Sequence, residues 1–294
     1  MEQSIHKAGF VSIVGKPNVG KSTLMNKLVG ERLAIITSKA QTTRDRIMGI
    51  INGDDFQIVY SDTPGIIEPK YELHKAMMSF VTTALEDADV ILFVTDLNEQ
   101  YTEDDVIKRL QKTSVPIILV INKIDLAKSQ QQVQDKIAYW GNIIKTQDTI
   151  VISALEGFNI EPIFNAILTL LPIHPAYFEK DEMTDKTERF FAAEFIREKI
   201  FKLFDQEIPY CCHVNITDFI EEDKILRIRA QIFVERDSQK GIIIGKGGES
   251  LKRIGREARI EMEDFFQKKV FLEQHVKVEP DWRTKDKALK SFGF

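Results

Sequence analysis

Between residue 9 and about residue 171, short apolar runs recur and each ends in glycine or a polar turn: GFVSIVG, DFQIVYSD, ADVILFVTD, PIILVINK and TIVISA. They are continuous rather than alternating and rich in β-branched residues, the pattern of strands buried on both faces. Segments with 3.6-residue apolar spacing lie between them, such as STLMNKLVG and IEPIFNAILTLL, and predict helices. RIMGIINGDDFQIVY breaks the alternation, because two strand-like runs meet at NGDD, a strong hairpin signal. The pattern predicts an α/β fold: a mostly parallel sheet with helices on both faces and one antiparallel edge strand.

The pattern changes after Pro172 and Pro175, which stop the last of these helices. EKDEMTDKTER reads as a charged, apolar-poor linker. FFAAEFIREKIFKLF then predicts an amphipathic helix, CCHVNITDFIE and ILRIRAQIFVE alternating strands, ESLKRIGREARIEMEDFF a helix behind a glycine loop, and VFLEQHVKV a last strand. The order helix, strand, strand, loop-helix, strand predicts a small α+β domain. The boundaries are 1–172 for the first domain, 173–189 for the linker and 190–294 for the second domain with its tail. DWRTKDKALKSFGF reads equally as a docking arm or as packing against the second sheet.

Composition excludes several classes. With 43% hydrophobic and 29% charged residues the chain reads as an ordinary globular protein, and no run approaches the ~20 apolar residues of a membrane span. MEQSIHKAGFVSIVG lacks the basic, apolar and small-residue regions of a secretory leader. Cys211 and Cys212 are neighbours expected on opposite faces of a strand; they make no disulfide framework and point to a reducing, cytoplasmic setting. His6, His74, His174, His213 and His275 show no metal-ligand spacing. The net charge of −5 and pI of about 5.7 argue against a chain coated in nucleic acid. Residues 240–259 are the exception: Lys240, Lys246, Lys252, Arg253, Arg256 and Arg259 face only Glu249 and Glu257.

Two glycine-lysine loops carry the chemistry. Gly15, Lys16, Pro17, Asn18, Val19, Gly20, Lys21 and Ser22, followed by Thr23, match G-x-x-x-x-G-K-S between a strand and a helix. Such a loop wraps backbone N–H groups around phosphates; Lys21 would reach the β- and γ-phosphates and Ser22 would ligate Mg²⁺. Asp62, Thr63, Pro64 and Gly65 follow the next strand, the aspartate placed for the metal and the Gly65 N–H for the γ-phosphate. Asn122, Lys123, Ile124 and Asp125 follow a third; the Asp125 carboxylate can accept two N–H bonds from guanine and rejects adenine. Ser153, Ala154 and Leu155 follow a fourth and can close over the base. Four signals in order, each after a strand, predict a GTP site and argue against a P-loop kinase or ATPase.

These residues resemble the G1, G3, G4 and G5 boxes of translation-factor-class GTPases. The resemblance implies that Thr42-Thr43 in QTTR is the G2 box, with Thr43 completing a metal shell of Ser22, Thr43 and Asp62. It also implies catalysis by Lys21, Thr43, Gly65 and Asn18. Ile66 stands where Ras-like enzymes place a water-orienting glutamine, which an aliphatic side chain cannot replace, so the resemblance points to intrinsically slow hydrolysis. Asn18 would then recruit a K⁺ ion beside the phosphates, or else only shape its turn.

GIIIGKGGESLKRIG is not a second nucleotide loop. It is one residue short, and Gly247 stands where Ser or Thr must ligate magnesium. Gly245, Lys246, Gly247 and Gly248 instead fit the G-x-x-G loop that grips RNA backbone in KH modules. Lys252, Arg256 and Arg259, spaced i, i+4, i+7, make a basic helical stripe beside Arg253. With both strands ahead of the loop, the order resembles a type II KH domain. QTTR, DTPG and NKID followed by GKGGESLKRIG resemble the Era family of bacterial ribosome-associated GTPases. The family implies a P-loop GTPase domain plus a KH domain, GTP and GDP as substrate and product, the 3′ end of 16S rRNA and the 30S subunit as partners, a monomer, and peripheral contact with the inner membrane face. The residues alone support single-stranded RNA, and a signalling GTPase whose second domain docks proteins stays open.

Overall fold

The computed structural model describes residues 5–100 and 105–294; residues 1–4, part of the opening segment read for a leader, lie outside the described residues. The apolar runs pair as expected. Strands β1 (Lys7–Val14), β2 (Ile47–Asn52), β3 (Phe56–Asp62), β4 (Val90–Asp96), β5 (Ile117–Asn122) and β6 (Asp148–Val151) form one sheet in the order β2-β3-β1-β4-β5-β6. Only β2 and β3 run antiparallel, joined through the NGDD turn, where the Gly53 N–H donates to the Phe56 carbonyl at 2.9 Å. All six residues of β5 are buried, which is why its sequence does not alternate. Helices α1 (Lys21–Val29), α2 (Glu72–Asp87), α3 (Asp105–Lys112) and α4 (Gln130–Gly141) connect the strands, and α5 (Glu161–Leu170) follows β6. Because β1, β3, β4, β5 and β6 are parallel, the loops leaving their C-terminal ends share one edge of the sheet.

The segment expected as a linker is bound to this sheet along most of its length. The Ala8 N–H donates to the Pro172 carbonyl at 3.2 Å and the His174 N–H to His6 at 3.2 Å. Buried Gln57 accepts from the Tyr177 and Phe178 N–H groups at 2.6 and 3.0 Å and donates to the Phe178 carbonyl at 2.9 Å. Lys180 reaches the Gly53 carbonyl at 2.6 Å. Along β2, the Ile50 N–H donates to the Met183 carbonyl at 2.9 Å and the Met48 N–H to Asp185 at 2.8 Å. A charged strap thus covers an edge strand that would otherwise expose unpaired backbone groups. Composition did not show it, because most of its bonds are made by backbone.

One structural unit extends to Asp185 and a second begins at Lys186, with Tyr71–Leu73 grouped in the second. The second holds α6 (Glu188–Leu203), α7 (Ile208–Cys211), β7 (His213–Glu221), β8 (Ile225–Val234), α8 (Asp237–Ile244), α9 (Glu249–Phe266), β9 (Lys269–Val278) and α10 (Asp286–Phe292). Its sheet runs β7-β8-β9, antiparallel then parallel. On β8, Leu226, Ile228, Ala230, Ile232 and Val234 are buried while Arg227 and Arg229 are exposed, the alternation of a sheet covered on one face. Phe265 of α9 meets Phe191 and Phe195 of α6 at 5.1 and 5.2 Å.

Two local expectations change. Helix α6 is not simply amphipathic: Glu194, Arg197, Glu198 and Lys199 are all buried. Arg197 holds Glu194 through two bonds of 2.6 and 2.5 Å, and Lys199 pairs with Glu198 and Glu261, as buried charges require. The two cysteines are not on opposite strand faces, because α7 ends at Cys211; both thiols turn to the Ile208 carbonyl, at 3.3 and 3.0 Å. The Ile242–Ile244 run forms the last turn of α8, with Ile243 buried and Ile242 exposed. The tail packs on its own unit: Phe292 stacks on His213 at 4.1 Å, and the Trp282 indole N–H donates to the Cys211 carbonyl at 2.9 Å.

Replacing Gln57 with Leu keeps the volume but leaves two strap N–H groups and a carbonyl unpaired. Urea unfolding is expected to show a loss of about 2–3 kcal/mol, with faster hydrogen exchange at Tyr177 and Phe178.

Candidate functional site

The loops leaving β1, β3, β5 and β6 surround a cleft of about 470 Å³ lined by Pro17, Asn18, Gly20, Lys21, Ser22, Thr23, Gly65, Asn122, Lys123, Asp125, Ala154 and Leu155. That volume suits a small-molecule site. The join between the loops is the Asn122 side chain. Its amide donates to the Val19 carbonyl at 2.8 Å, while its oxygen accepts from the Lys123 and Ala154 N–H groups at 2.8 and 2.9 Å. The close approach requires glycine at position 20: a Cβ there would lie 2.2 Å from the Asn122 nitrogen. Gly15 is tighter still, since its Cβ would meet the Val94 carbonyl at 2.1 Å.

At the phosphate end, Ser22 donates to the Asp62 carboxylate at 2.6 Å and lies 2.9 Å from the Thr43 hydroxyl. The other Asp62 oxygen is buried without a hydrogen-bond partner. Burial pushes the Asp62 carboxyl up to about 6, against the lowering influence of Lys21 and Ser22. Burial likewise pulls Lys21 down to about 8; its ammonium is held by the Gly15 and Lys16 carbonyls at 3.0 and 2.9 Å. A buried acid with an unpaired oxygen beside two hydroxyls fits a hard, oxygen-bound cation such as Mg²⁺. Of the threonine pair, Thr43 faces this cluster, whereas Thr42 turns away to Thr37 and the Lys39 carbonyl. Asn18 adopts a left-handed conformation (φ 64°) and donates to the Ser38 carbonyl at 3.1 Å. At the base end, the Asp125 carboxylate accepts from Ser153 at 2.6 Å.

Other residues of the expected site turn their side chains away from the cleft. The Lys16 ammonium reaches the Gln100 carbonyl at 2.8 Å, outside the cleft. The Thr63 hydroxyl donates to the Ile13 carbonyl at 2.8 Å, and Ile66 packs in the core while its N–H donates to Gly15 at 3.0 Å. Val19, Gly15, Thr63, Pro64 and Ile66 shape the loops without lining the cleft. Sequence reasoning passed over Ile35, Ile36, Thr37, Ser38, Lys39 and Leu126, which with Gln41, Thr42 and Thr43 complete the wall. Their only signal was adjacency to QTTR and NKID.

In the second unit, Gly245, Gly247 and Gly248 all take positive φ, at 73°, 63° and 79°. A Cβ at Gly245 would lie 2.4 Å from the Ser250 hydroxyl. Lys246, Lys252, Arg253, Arg256 and Arg259 are exposed, with Arg253 paired to Glu257 at 2.8 Å, while Ile254, Ala258 and Met262 hold α9 to the core. The outcome is a side-chain-poor loop at a helix N-terminus beside a basic stripe, a shape suited to a polyphosphate backbone. The described residues contain no His, Cys, Asp and Glu cluster able to hold a metal, and no described helix is long and apolar enough to cross a membrane.

Residues 10–123 match the family model of a 50S ribosome-binding GTPase, and residues 207–283 that of a KH domain. The chain is 42% identical to GTPase Era of Staphylococcus haemolyticus (strain JCSC1435) over 98% of this chain and 97% of that protein. The chain belongs to the Era family of GTPases. Staphylococcus epidermidis GTPase Era is 43% identical over the same shares. Among solved structures, Era in complex with MgGDPNP and nucleotides 1506–1542 of 16S ribosomal RNA superposes with a TM-score of 0.91 at 40% identity, covering 98% of this chain and 99% of that one. A point variant of Aquifex aeolicus Era bound to GDP and AlF₄⁻ gives the same TM-score, identity and coverage. As an Era-family member, the chain hydrolyses GTP and carries a KH domain behind its P-loop domain.

The raised Asp62 acid sets a pH dependence. A carboxyl with a pKa raised to about 6 is protonated below that pH and must lose its proton to ligate a metal, so Mg²⁺ affinity falls by about tenfold per unit below pH 6. Mn²⁺ titration of the GDP complex at pH 5 and 7 measures this. Asp62→Asn is expected to bind metal weakly and to lose that share of the slope.

Proposed function

We propose that the chain is a Mg²⁺-dependent GTP switch that binds the 3′ end of 16S rRNA through its KH domain and assists assembly of the 30S subunit in the cytoplasm. The observation that carries the RNA half is the Gly245–Gly248 loop with its positive-φ glycines beside exposed Lys246, Lys252, Arg253 and Arg256. A relative 40% identical over nearly the whole chain was solved with a 16S rRNA segment and MgGDPNP. The RNA-binding module is taken as 190–294, and the chain acts as a monomer with at most peripheral membrane contact.

In the first unit, the Gly15–Ser22 backbone and Lys21 hold the phosphates, and Ser22, Asp62 and, in the GTP state, Thr43 hold Mg²⁺. The ion neutralises charge on the β- and γ-phosphates. Asp125 selects guanine. It releases its hydrogen bond from Ser153 or shares it with the base. The Gly65 N–H meets the γ-phosphate, and hydrolysis is slow because Ile66 lies in the core and orients no water. Asn18, bonded to the Ser38 carbonyl of the loop before Thr43, would recruit K⁺ beside the phosphates. Nucleotide state reaches the RNA-binding domain through β2, which begins four residues after Thr43 and carries the Met183–Asp185 end of the strap.

Paired Lys246→Asp and Gly247→Asp changes are expected to abolish binding of a 16S 3′-end oligonucleotide while GDP binding stays at the wild-type value; RNA binding that survives would refute the KH assignment. For Asn18, GTP hydrolysis should run faster in K⁺ than in Na⁺, and Asn18→Ala should erase the difference. Equal wild-type rates in both salts would rule out the cation role.

A further inference from the structure

The Asp96–Gln100 turn that ends β4 contacts lysines of both the phosphate loop and the base loop without lining the cleft. Asp96 ends β4, and one of its carboxylate oxygens accepts from the Lys123 ammonium at 2.9 Å. Its other oxygen accepts from the Asn98 and Glu99 N–H groups at 2.9 and 3.0 Å, locking the turn. From the same turn, the Gln100 carbonyl takes the Lys16 ammonium at 2.8 Å, and the Glu99 carboxylate lies 3.9 Å from it. Lys136 of α4 donates to the Glu99 carbonyl. One five-residue turn therefore grips a lysine of the phosphate loop and the lysine of the base loop.

Lys123 needs such a grip. It is a non-glycine residue in the left-handed region (φ 62°, ψ 36°), directly ahead of Ile124 and Asp125, and its side chain lines the cleft. A free lysine side chain carries about 2 kcal/mol of rotamer entropy, and ordering it at the moment of binding weakens the complex. Partial burial pulls the Asp96 carboxyl up, but the Lys123 hydrogen bond and charge and the two turn N–H groups outweigh it and hold the acid below its ordinary value. The ion pair is half-buried, with 16% of the Asp96 and 33% of the Lys123 side chain exposed, so it is less screened than a surface pair.

We propose that Asp96 is a positioning residue of the GTP site: it pre-organises Lys123 against the base and, through the Asn98–Gln100 turn, fixes that lysine relative to the phosphate loop, thereby setting nucleotide residence time. Asp96 itself does not line the cleft. Hydrolysis chemistry, carried at the Ser22, Thr43 and Asp62 end, does not depend on it.

The test is a double-mutant cycle on the full-length protein, read by release of a fluorescent GDP and by steady-state GTP hydrolysis. Asp96→Ala and Lys123→Met are each expected to speed GDP release by about tenfold, and the double variant to release no faster than either. Asp96→Asn keeps the turn acceptor and loses the charge; it should act in the same direction by a smaller factor, which also covers misfolding of the alanine variant. For Asp96→Asn, KM for GTP should rise while kcat stays at the wild-type value. Wild-type GDP release from Asp96→Asn would overturn the proposal. So would effects of Asp96 and Lys123 that multiply to about a hundredfold, or a fall in kcat with KM unchanged.

Discussion

A single buried amide holds the nucleotide site together. Asn122 spends its hydrogen-bonding groups on the Val19 carbonyl and on the Lys123 and Ala154 N–H groups. The phosphate loop, the guanine loop and the loop that closes over the base therefore share one anchor. Leaving its buried partners unpaired costs about 1–3 kcal/mol each, so the three loops keep their mutual geometry before any ligand arrives. The glycine at position 20 exists to let that amide approach. Such pre-organisation is the condition for tight binding of a flexible triphosphate.

The parallel sheet supplies the setting for this anchor. It delivers four loops to one edge because its strands run the same way, and its strands can be uniformly apolar because helices cover them. At that edge, burial makes charges costly: Asp62 is held up to about 6 and Lys21 down to about 8. Buried, shifted charges of this kind cluster at functional sites. The second glycine-lysine loop answers different requirements. Its glycines are open to solvent at Gly247 and Gly248, its lysine is exposed, and it has no buried acid beside it. It suits a long ligand that lies on the surface, where the first loop encloses a short one.

The strap links these parts along the chain. Gln57 and the β2 backbone hold residues 172–185 to the sheet edge, so the connection to the second unit starts from the strand that follows Thr43. The loop that carries Thr43 and the strand that carries the strap are neighbours in sequence and in structure.

Much of this was written in local pattern. Continuous β-branched runs, the NGDD hairpin, the spacing of GKPNVGKS, DTPG, NKID and SAL, and the G-x-x-G ahead of a basic helix each depend on residues within a dozen positions of one another. Periodicity and motif reading see that range. Tertiary structure alone decided what depends on distant partners. It turned the charged linker into a hydrogen-bonded strap, buried the charged side of α6 in ion pairs, and brought both cysteine thiols to one carbonyl. It also turned Thr43 toward Ser22 and Thr42 toward Thr37, and sent the Lys16 ammonium to the Gln100 carbonyl. Asp96 shows the difference most clearly. It is an ordinary polar residue at the end of an apolar strand, and only the parallel pairing of β4 with β5, which sets Asp96 opposite Asn122, puts it beside Lys123. A sequence specifies which residues can bind phosphate or base; the register of the sheet decides which other charges hold them in place.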